Sequence, residues 1–310
     1  CKKGVSMDFT NLPHRQKCYA GANGSKLSVV LDGKQYMLKF PPTPSINKDM
    51  SYTNSCFSEY LGSHIFELLG IPVQETLLGT YEVQGKTKIV VACRDFTSPG
   101  VVLQDFASLK NTIIDSAHNG YGTELADIEQ AMEEQRAIDS EILKDRFWDT
   151  FVADALTGNW DRHNGNWGFL YDSVNDTMTL APVYDNGSCL YPQADPDIMR
   201  SVLENRENRD ARIYQVPLSG IKIGGQKINY FNFLSSLENA DCNAALKRIV
   251  PRMDLKVMCD MVDKTPYLTD LQREFYKTML SERKTKILDY AYQKLLKRER
   301  SKKRNDRDER

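Results

Sequence analysis

The amino-acid sequence predicts an α+β protein in which a strand-rich part comes first and a larger helical part follows. Between residues 26 and 93, short β-rich apolar runs are separated by turn residues, with one helical pattern among them. After residue 100, apolar side chains recur mostly at three- and four-residue spacing, which is typical of helices that pack on a core. The chain has 310 residues and 41% hydrophobic side chains, enough to bury such a core.

The strand-rich part begins with a predicted hairpin over 26–40, KLSVVLDGKQYMLKF. Asp32-Gly33 is a strong turn signal because it lies between two β-rich runs. A helix is predicted over 54–70, where apolar residues follow helical spacing and Gly70 suits the C-terminal end. Two further strands are predicted over 75–83 and 88–93.

Helical patterns dominate the second part of the chain. Thr269 is a residue type that caps helix N-termini, and it precedes the longest of these patterns. The predicted helices cover 123–135, 140–157, 232–250, 254–263 and 269–298. We therefore divide the chain into a strand-rich part over 1–97, a helical part over 98–298 and a basic tail over 299–310 that we expect to be disordered.

Composition excludes some classes of function. The formal net charge of −1 gives no global basic field, so we expect no nucleic-acid partner. No run of 18 apolar residues predicts a membrane span, and no signal peptide is visible. The seven cysteines are odd in number and include no CxxC pair, which favours a reducing, cytosol-like compartment.

The segment GNWDRHNGNWGFL, residues 158–170, combines a carboxylate and amides with large apolar side chains. Asp161 and Asn166 are five residues apart, which is the spacing of base and metal ligand in the protein-kinase catalytic loop. A carboxylate beside an acceptor hydroxyl can take its proton, and an amide oxygen can bind Mg²⁺. We expect Arg162, Asn164 and the flanking tryptophans to shape this loop.

A second metal ligand is expected after a hairpin, and MTLAPVYDNGS provides it at residues 178–188. Asp185-Asn186-Gly187 has the form of the kinase DFG triplet, with Asn in the place of Phe. Asp185 is therefore the expected partner of Asn166 in binding Mg²⁺.

The strand-rich part contains the residues expected to bind ATP. Lys39 lies in an apolar strand and is costly to bury unless it is paired, and Glu59 on the following helix is its natural partner. The strand KIVVACRDF leads into the helical part, where adenine could bond backbone groups near Ala92 and Cys93. A phosphate-binding loop with backbone N–H groups is predicted at Gly21, Ala22, Asn23, Gly24, Ser25 and Lys26.

Each motif alone also has an ordinary structural explanation. The Gly21–Gly24 stretch and the Asp185-Asn186-Gly187 triplet are both common turn sequences, and DRHNGN could be an Asx-rich turn. Lys39 and Glu59 could form a purely structural ion pair. The order of the motifs favours the kinase interpretation, because 20 residues separate Lys39 from Glu59 and 19 separate Asn166 from Asp185.

These motifs together resemble those of HipA-like protein kinases, over roughly residues 20–295. The resemblance is carried by AGANGSK, MLKFP, SCFSEYLGSHIFELLGI, NWDRHNGNWGFL and LAPVYDNGSCLYP. It implies a two-lobed kinase-like fold with a small β-rich N-lobe, one key helix and a larger helical C-lobe. It further implies ATP- and Mg²⁺-dependent phosphorylation of Ser or Thr in a protein substrate, including autophosphorylation. Asp161 would be the catalytic base, Asn166 and Asp185 would bind Mg²⁺, Lys39 would hold the phosphates and Glu59 would position Lys39.

The chain departs from the family pattern in two places. HipA-like kinases have a regulatory serine just before the glycine-rich loop, and the aligned residue here is Cys18, so Ser25 and Ser28 are the nearby candidate acceptors. The N-terminal extension of that family is missing from this sequence, so we do not expect an antitoxin partner. The resemblance implies the bacterial cytoplasm as location, with export into a host cell as a bacterial effector as a second possibility.

Two other functions stay open at this stage. DRHNGN also resembles the catalytic loop of phosphatidylinositol kinases, in which the histidine helps to activate the acceptor hydroxyl. Residues 188–200 contain a single basic side chain, Arg200, which argues against an anionic lipid substrate. The other alternative is a nucleotide-binding pseudokinase that acts as an interaction module. His163 is accordingly a second candidate catalytic residue, either structural or a proton carrier.

Overall fold

A six-stranded sheet and one long helix form the N-lobe of the structure, a computed structural model that describes residues 7–19, 25–42, 53–114 and 118–308. The strand order is β1-β5-β6-β4-β3-β2, with β1 parallel to β5 and the other pairs antiparallel. The elements are β1 (Met7–Asp8), β2 (His14–Arg15), β3 (Lys26–Leu31), β4 (Lys34–Lys39), α1 (Ser55–Leu68), β5 (Thr76–Val83) and β6 (Lys86–Arg94).

The predicted hairpin is confirmed as β3 and β4. Asp32 and Gly33 both have positive φ angles, 49° and 73°, as a two-residue turn of the primed type requires. The register pairs Lys26 with Lys39, so the first residue of β3 lies beside the last residue of β4. Alternation along β4 directs Tyr36 and Leu38 into a small core on one face of the sheet, whereas Lys39 points into the cleft on the other face.

The C-lobe is mainly helical, as predicted, and a three-stranded sheet in the order β7-β8-β9 lies next to the cleft. Its described elements are β7 (Val101–Asp105), α2 (Phe106–Ile113), α3 (Leu125–Glu134), α4 (Ser140–Thr157), β8 (Gly168–Asp172), β9 (Thr177–Leu180), α5 (Pro196–Glu204), α6 (Arg206–Tyr214), β10 (Lys222–Ile223), β11 (Gln226–Lys227), α7 (Tyr230–Ser236), α8 (Ala240–Ile249), α9 (Leu255–Lys264), α10 (Asp270–Arg283) and α11 (Tyr290–Asp308).

Three predictions for the C-lobe differ from the structure. The single helix expected over 232–250 is two helices, because Leu237 adopts a left-handed conformation with φ 61° and Asn239 caps α8. Helices α2, α5 and α6 were not predicted. The tail from 299 was expected to be disordered, whereas α11 extends to Asp308. Thr269 does cap α10, in a capping box with Gln272.

Helix α1 is fastened to the C-lobe at both of its ends. At the N-terminal end, the Asn54 side chain donates to Ala194 O at 2.7 Å and accepts from Gln272 Nε2 at 3.0 Å. At the other end, Arg252 donates to Leu69 O at 3.2 Å. The apolar side chains of α1 also belong to the main C-lobe core rather than to the small core of the sheet; they are Cys56, Phe57, Leu61, Ile65 and Phe66.

Two expectations for the whole chain concern membrane spans and cysteines. In the part of the chain that the structure describes, no helix is both long and apolar enough to cross a membrane. The described cysteines are all free, and most of them are buried. Cys56, Cys93, Cys189 and Cys242 are buried, Cys259 is half-buried and Cys18 is exposed.

Candidate active site

A cleft of about 640 Å³ lies between the sheet of the N-lobe and the helices of the C-lobe. It is the place where the residues singled out in the two halves of the sequence meet. Residues of both lobes line the cleft. They include the predicted ion pair, the predicted base and the predicted metal ligands, which are Lys39 and Glu59, Asp161, and Asn166 and Asp185.

Lys39 bridges the two lobes through two carboxylates. Its Nζ lies 2.6 Å from Glu59 Oε2 and 2.9 Å from Asp185 Oδ1. Burial alone would lower the pKa of Lys39, but the charges of Asp185 and Glu59 outweigh it, and the pKa lies well above its ordinary value. The same contact with Lys39 holds the pKa of Asp185 below its ordinary value. A permanent cation and an ionised carboxylate therefore face each other in the cleft.

Glu59 uses both of its carboxylate oxygens. Oε2 accepts from Lys39, and Oε1 accepts from the backbone N–H of Asn186 at 2.9 Å. The Asn186 side chain in turn donates to Ser63 Oγ, on the next turn of α1, at 3.1 Å. Asp185 has a φ of 58°, which is uncommon for a residue other than glycine and is typical of backbone constrained at a functional site. Helix α1 thus fixes the segment that carries Asp185.

The segment between α4 and β8 forms a tight loop that connects Asp161 to Asn166. Asn166 Nδ2 donates to Asp161 O at 2.9 Å, and Asp161 N donates to Asn159 Oδ1 at 3.0 Å. Burial raises the pKa of Asp161, an effect that His163 and Lys227 oppose. The carboxylate of Asp161 is half-buried at the cleft and is a stronger proton acceptor than an exposed aspartate.

Arg162 is the buried centre of this loop. Its guanidinium pairs with Asp154 at 3.0 and 3.1 Å and donates to Tyr184 O and to Asn186 Oδ1, each at 2.6 Å. Burial raises the pKa of Asp154, and the charge of Arg162 opposes this. One side chain therefore joins α4, the catalytic loop and the residues on either side of Asp185. The expectation that Arg162 shapes the loop agrees with these contacts.

Asn164 fastens the same loop to the segment before α3. Its Nδ2 donates to Gly120 O and to Gly122 O, both at 2.8 Å. Gly120 has a φ of 77°, and a Cβ there would overlap the carbonyl oxygen of Ala107. Only glycine can therefore occupy this position without moving the backbone.

We expect Gly120→Ala to lower the free energy of unfolding by about 3 kcal/mol, from backbone strain and overlap together. Gly33→Ala is the matched control, since Gly33 also has positive φ but no atom lies within 4 Å of its added Cβ. Chemical denaturation of both variants measures the difference. Equal losses in the two variants would show that the contact with Ala107 costs nothing.

His163 makes a local contact within the loop. Its Nδ1 accepts a hydrogen bond from Gly165 N at 3.0 Å, and its ring lies 6.4 Å from that of Tyr121 in an edge-on arrangement. Tyr121 is held by Asp105 Oδ2 at 3.1 Å. The ring of His163 nevertheless lines the cleft beside Asp161, so both of the roles left open for it are compatible with its position.

The predicted phosphate-binding loop lies partly within the described residues. Ser25 and Lys26 are described, and Lys26 lines the cleft. Burial and the neighbouring charge of Lys39 lower the pKa of Lys26. The other predicted phosphate-binding residues lie outside the described residues: Gly21, Ala22, Asn23 and Gly24.

The adenine contact predicted at Ala92 and Cys93 does not agree with the structure. Both residues lie inside β6, which pairs with β4 on one side and with β5 on the other, so the ladders already use their backbone groups. Ala92 packs in the small core of the sheet, and Cys93 packs in the main core beside α1. The residues that line the cleft after this strand are 95–97.

Asp95 is a site residue that the sequence reasoning missed. Its carboxylate accepts from Lys17 Nζ at 2.6 Å, from Tyr19 OH at 2.8 Å and from Thr97 Oγ1 at 2.7 Å. Burial would raise the pKa of Asp95, but the bonds from Lys17, Thr97 and Tyr19 outweigh it, and the pKa lies below its ordinary value. Gln35 Nε2 also donates to this carboxylate, at 3.3 Å. Asp95 therefore ties the chain that enters the glycine-rich segment to the chain that leaves the N-lobe. The sequence signal for this role was the position of Asp95 directly after an apolar strand.

The two lobes and the residues at their cleft define a protein-kinase-like phosphotransferase. The model of the HipA-like C-terminal domain matches residues 15–263. The serine/threonine-protein kinase CtkA of Helicobacter pylori is 50% identical over 289 residues, which are 93% of this chain and 88% of that protein. The chain therefore belongs to the HipA-like family, and its enzyme class is serine/threonine-protein kinase.

Solved structures agree with the family. The crystal structure of the Helicobacter pylori proinflammatory kinase CtkA matches with a TM-score of 0.88 and 46% identity, over 94% of this chain and 99% of that one. HipA of Shewanella oneidensis MR-1, solved with HipB and operator DNA, matches with a TM-score of 0.54 and 14% identity, over 94% of this chain and 76% of that one. The second match shows a shared fold. The predicted fold class and the resemblance to HipA-like kinases are thus confirmed.

Proposed function

We propose that this kinase transfers the γ-phosphate of ATP to serine or threonine hydroxyls of a protein substrate, and to its own chain, with Mg²⁺ as cofactor. The observation that carries the proposal is the position of Lys39, which contacts both Glu59 and Asp185 across the cleft that Asp161 lines. A cation held between two carboxylates is already oriented and ionised for a phosphate oxygen. The catalytic contribution of such a site is positioning and charge neutralisation.

Asp161 is the proposed base. The backbone that carries its carboxylate is fixed, because the N–H and C=O of Asp161 both bond within the loop, to Asn159 and Asn166. A hydroxyl that enters the cleft can reach this carboxylate, because Asp161 lines it. Its raised pKa favours acceptance of the hydroxyl proton as the phosphate bond forms.

Asn166 and Asp185 fit the requirements of a magnesium site. The Nδ2 of Asn166 is used by Asp161 O, which leaves its amide oxygen as the acceptor at the cleft, and the Asp185 side chain is 46% exposed. Mg²⁺ prefers few protein oxygens and completes its shell with water and phosphates. When bound, the ion would neutralise charge on the phosphates. Asp185 would meet it ionised, as its lowered pKa ensures.

The adenine ring is expected to meet the backbone of residues 95–97 rather than that of Ala92 and Cys93. This segment leaves the sheet at the edge of the cleft, and the side chain of Phe96 lies 5.8 Å from the ring of Tyr184. An apolar wall next to exposed backbone suits a flat heterocycle with donor and acceptor edges. Asp95 anchors the segment through the bonds described above.

The decisive experiment is incubation with ATP and Mg²⁺ and a generic Ser/Thr-containing protein, followed by mass spectrometry of both chains. We expect phosphate on serine or threonine of the added protein and of the kinase itself. Labelling of phosphoinositide vesicles with no labelled protein would instead establish the lipid-kinase alternative. Tight ATP binding without turnover in Mg²⁺ or Mn²⁺ would establish a pseudokinase.

Lys39→Met is expected to lower kcat/KM for ATP by about 10²-fold, because it removes the cation that orients the phosphates. The same change leaves Glu59 Oε2 buried without its ion pair, so a loss of stability should accompany the loss of rate. Lys34→Met, at the exposed start of the same strand, is the control. Initial rates at varied ATP concentration, with thermal unfolding of each variant, measure both effects. A K39M enzyme with the wild-type kcat/KM would contradict the assigned role.

Location and further partners are proposals as well. The free cysteines among the described residues suit the bacterial cytoplasm, with export into a host cell as a second proposal. A stable antitoxin partner is not expected. Fractionation of the producing cells, and of host cells in contact with them, would detect the enzyme in either location.

A further inference from the structure

A short hairpin of the C-lobe stands directly beside the catalytic loop. Strands β10 and β11 pair Lys222 with Lys227, and the turn between them is formed by Gly224 and Gly225 with φ angles of 58° and 78°. Nothing lies within 4 Å of a Cβ added to either glycine, so the tip projects into open space. The exposed face of the hairpin carries basic and apolar side chains, among them Ile223 at 49% exposure.

The stem of this hairpin packs on the backbone of the catalytic loop. A Cβ on Gly220 would lie 3.1 to 3.3 Å from the backbone atoms of Arg162, so the two chains touch without any side chain between them. Just after β11, Tyr230 OH donates to Asn159 O at 2.5 Å. The hairpin therefore begins and ends on the loop that carries Asp161.

The tip of the hairpin is fixed by a single carboxylate. Glu124, the residue before α3, accepts from Gly224 N at 2.6 Å and from Gly225 N at 3.0 Å. Lys222 N donates to Thr123 O at 2.8 Å on the same side. A two-residue strand pair is not stable alone, so these bonds hold the hairpin in one orientation.

Lys227 is the cation on this hairpin that packs on the loop of Asp161. Its Nζ lies 5.8 Å from the ring centre of Trp160, the residue before Asp161. Among the described residues, no carboxylate forms an ion pair with Lys227, and Glu124 accepts from the two glycine amides instead.

We propose that the hairpin over 222–227, together with Trp160, docks the protein acceptor, and that Lys227 selects acidic residues next to the acceptor serine or threonine. This inference rests on the proposed function. ATP occupies the N-lobe side of the cleft, at Lys39 and residues 95–97, so an acceptor must approach Asp161 from the C-lobe side. There it meets a fixed ridge with a cation over an aromatic ring, and an acidic side chain is the group that pairs with the charge of Lys227.

The test uses three peptides that differ only at the positions flanking one serine, with Asp, Ala or Lys in those places. We expect the wild-type enzyme to have a KM about three- to tenfold lower for the Asp peptide than for the Lys peptide, with similar kcat values. Lys227→Glu should reverse this order, and Lys227→Gln should abolish it. Comparing peptides within one variant removes any effect of the substitution on Asp161 itself.

Lys86→Glu, at the exposed start of β6 in the N-lobe, is the charge-matched control and should keep the wild-type preference. An Asp-over-Lys preference that is unchanged in Lys227→Glu would overturn the docking role, as would a wild type that uses the three peptides equally. Failure of the wild type to label itself or any peptide overturns the proposed function, and the docking inference with it. Autophosphorylation measured in parallel separates these two results.

Discussion

Replacing Asp161 by Asn is expected to lower the rate of phosphoryl transfer by about 10³-fold, with little change in affinity for ATP. The amide keeps the size of the carboxylate but cannot accept the hydroxyl proton. The backbone bonds of residue 161 to Asn159 and Asn166 do not involve its side chain, so the loop should keep its conformation. The loss should therefore be confined to kcat.

Single-turnover transfer to a protein acceptor, with nucleotide binding measured separately, tests this expectation. Asp197→Asn is the control, since Asp197 is exposed on α5 and its ion pair within the described part of the chain is with Arg200 at 2.8 Å. The thermal unfolding temperature of Asp161→Asn should stay close to that of the wild type. A variant that retained full activity would remove Asp161 from the role of base and would direct attention to His163.

The second large effect is expected on stability. Arg162→Met should lower the free energy of unfolding by about 3 to 5 kcal/mol, because it leaves Asp154 charged and buried without its partner. The Asp154 side chain is 1% exposed, so water cannot replace the guanidinium. The acceptors Tyr184 O and Asn186 Oδ1 lose their donor in the same variant.

Urea unfolding of Arg162→Met, a double variant and a surface control tests whether the buried charge of Asp154 causes the loss of stability. Arg162→Met combined with Asp154→Leu should recover part of the loss, because the uncompensated carboxylate is then absent. Arg206→Met is the surface control; its exposed pair with Asp210 should contribute under about 1 kcal/mol. If the double variant were less stable than Arg162→Met alone, hydrogen bonding to the loop rather than the ion pair would dominate.

Much of the site could be predicted from the sequence because its signals are local. Asp161 and Asn166 lie in one short loop, and Asp185 follows one hairpin later, so spacing along the chain carries the information. The Asp32-Gly33 turn places Lys39 by the same kind of short-range rule. Lys39 and Glu59 are distant in sequence, but a lysine in an apolar strand needs a carboxylate partner, and Glu59 on the next helix is the natural one.

The remainder depends on contacts that leave no local pattern. Ala92 and Cys93 look like the end of a strand at the lobe boundary, yet pairing on both sides places them mid-sheet and moves the cleft edge to Asp95. Arg162 is an ordinary loop arginine in the sequence, and only the fold brings Asp154 and Asn186 to it. The break at Leu237 required a left-handed residue within an apolar helical pattern, which periodicity alone does not show.

The fastening of α1 has a consequence for how this enzyme can be controlled. Many protein kinases are switched off by swinging the glutamate-bearing helix away from the lysine. Here such a swing would break the bonds of Asn54 and Leu69 to the C-lobe and release both oxygens of Glu59 at once. It would also expose the apolar face that α1 shares with the main core. The alignment of Glu59 with Lys39 is therefore expected to persist as long as the C-lobe is folded. We therefore expect this enzyme to be regulated without a swing of α1.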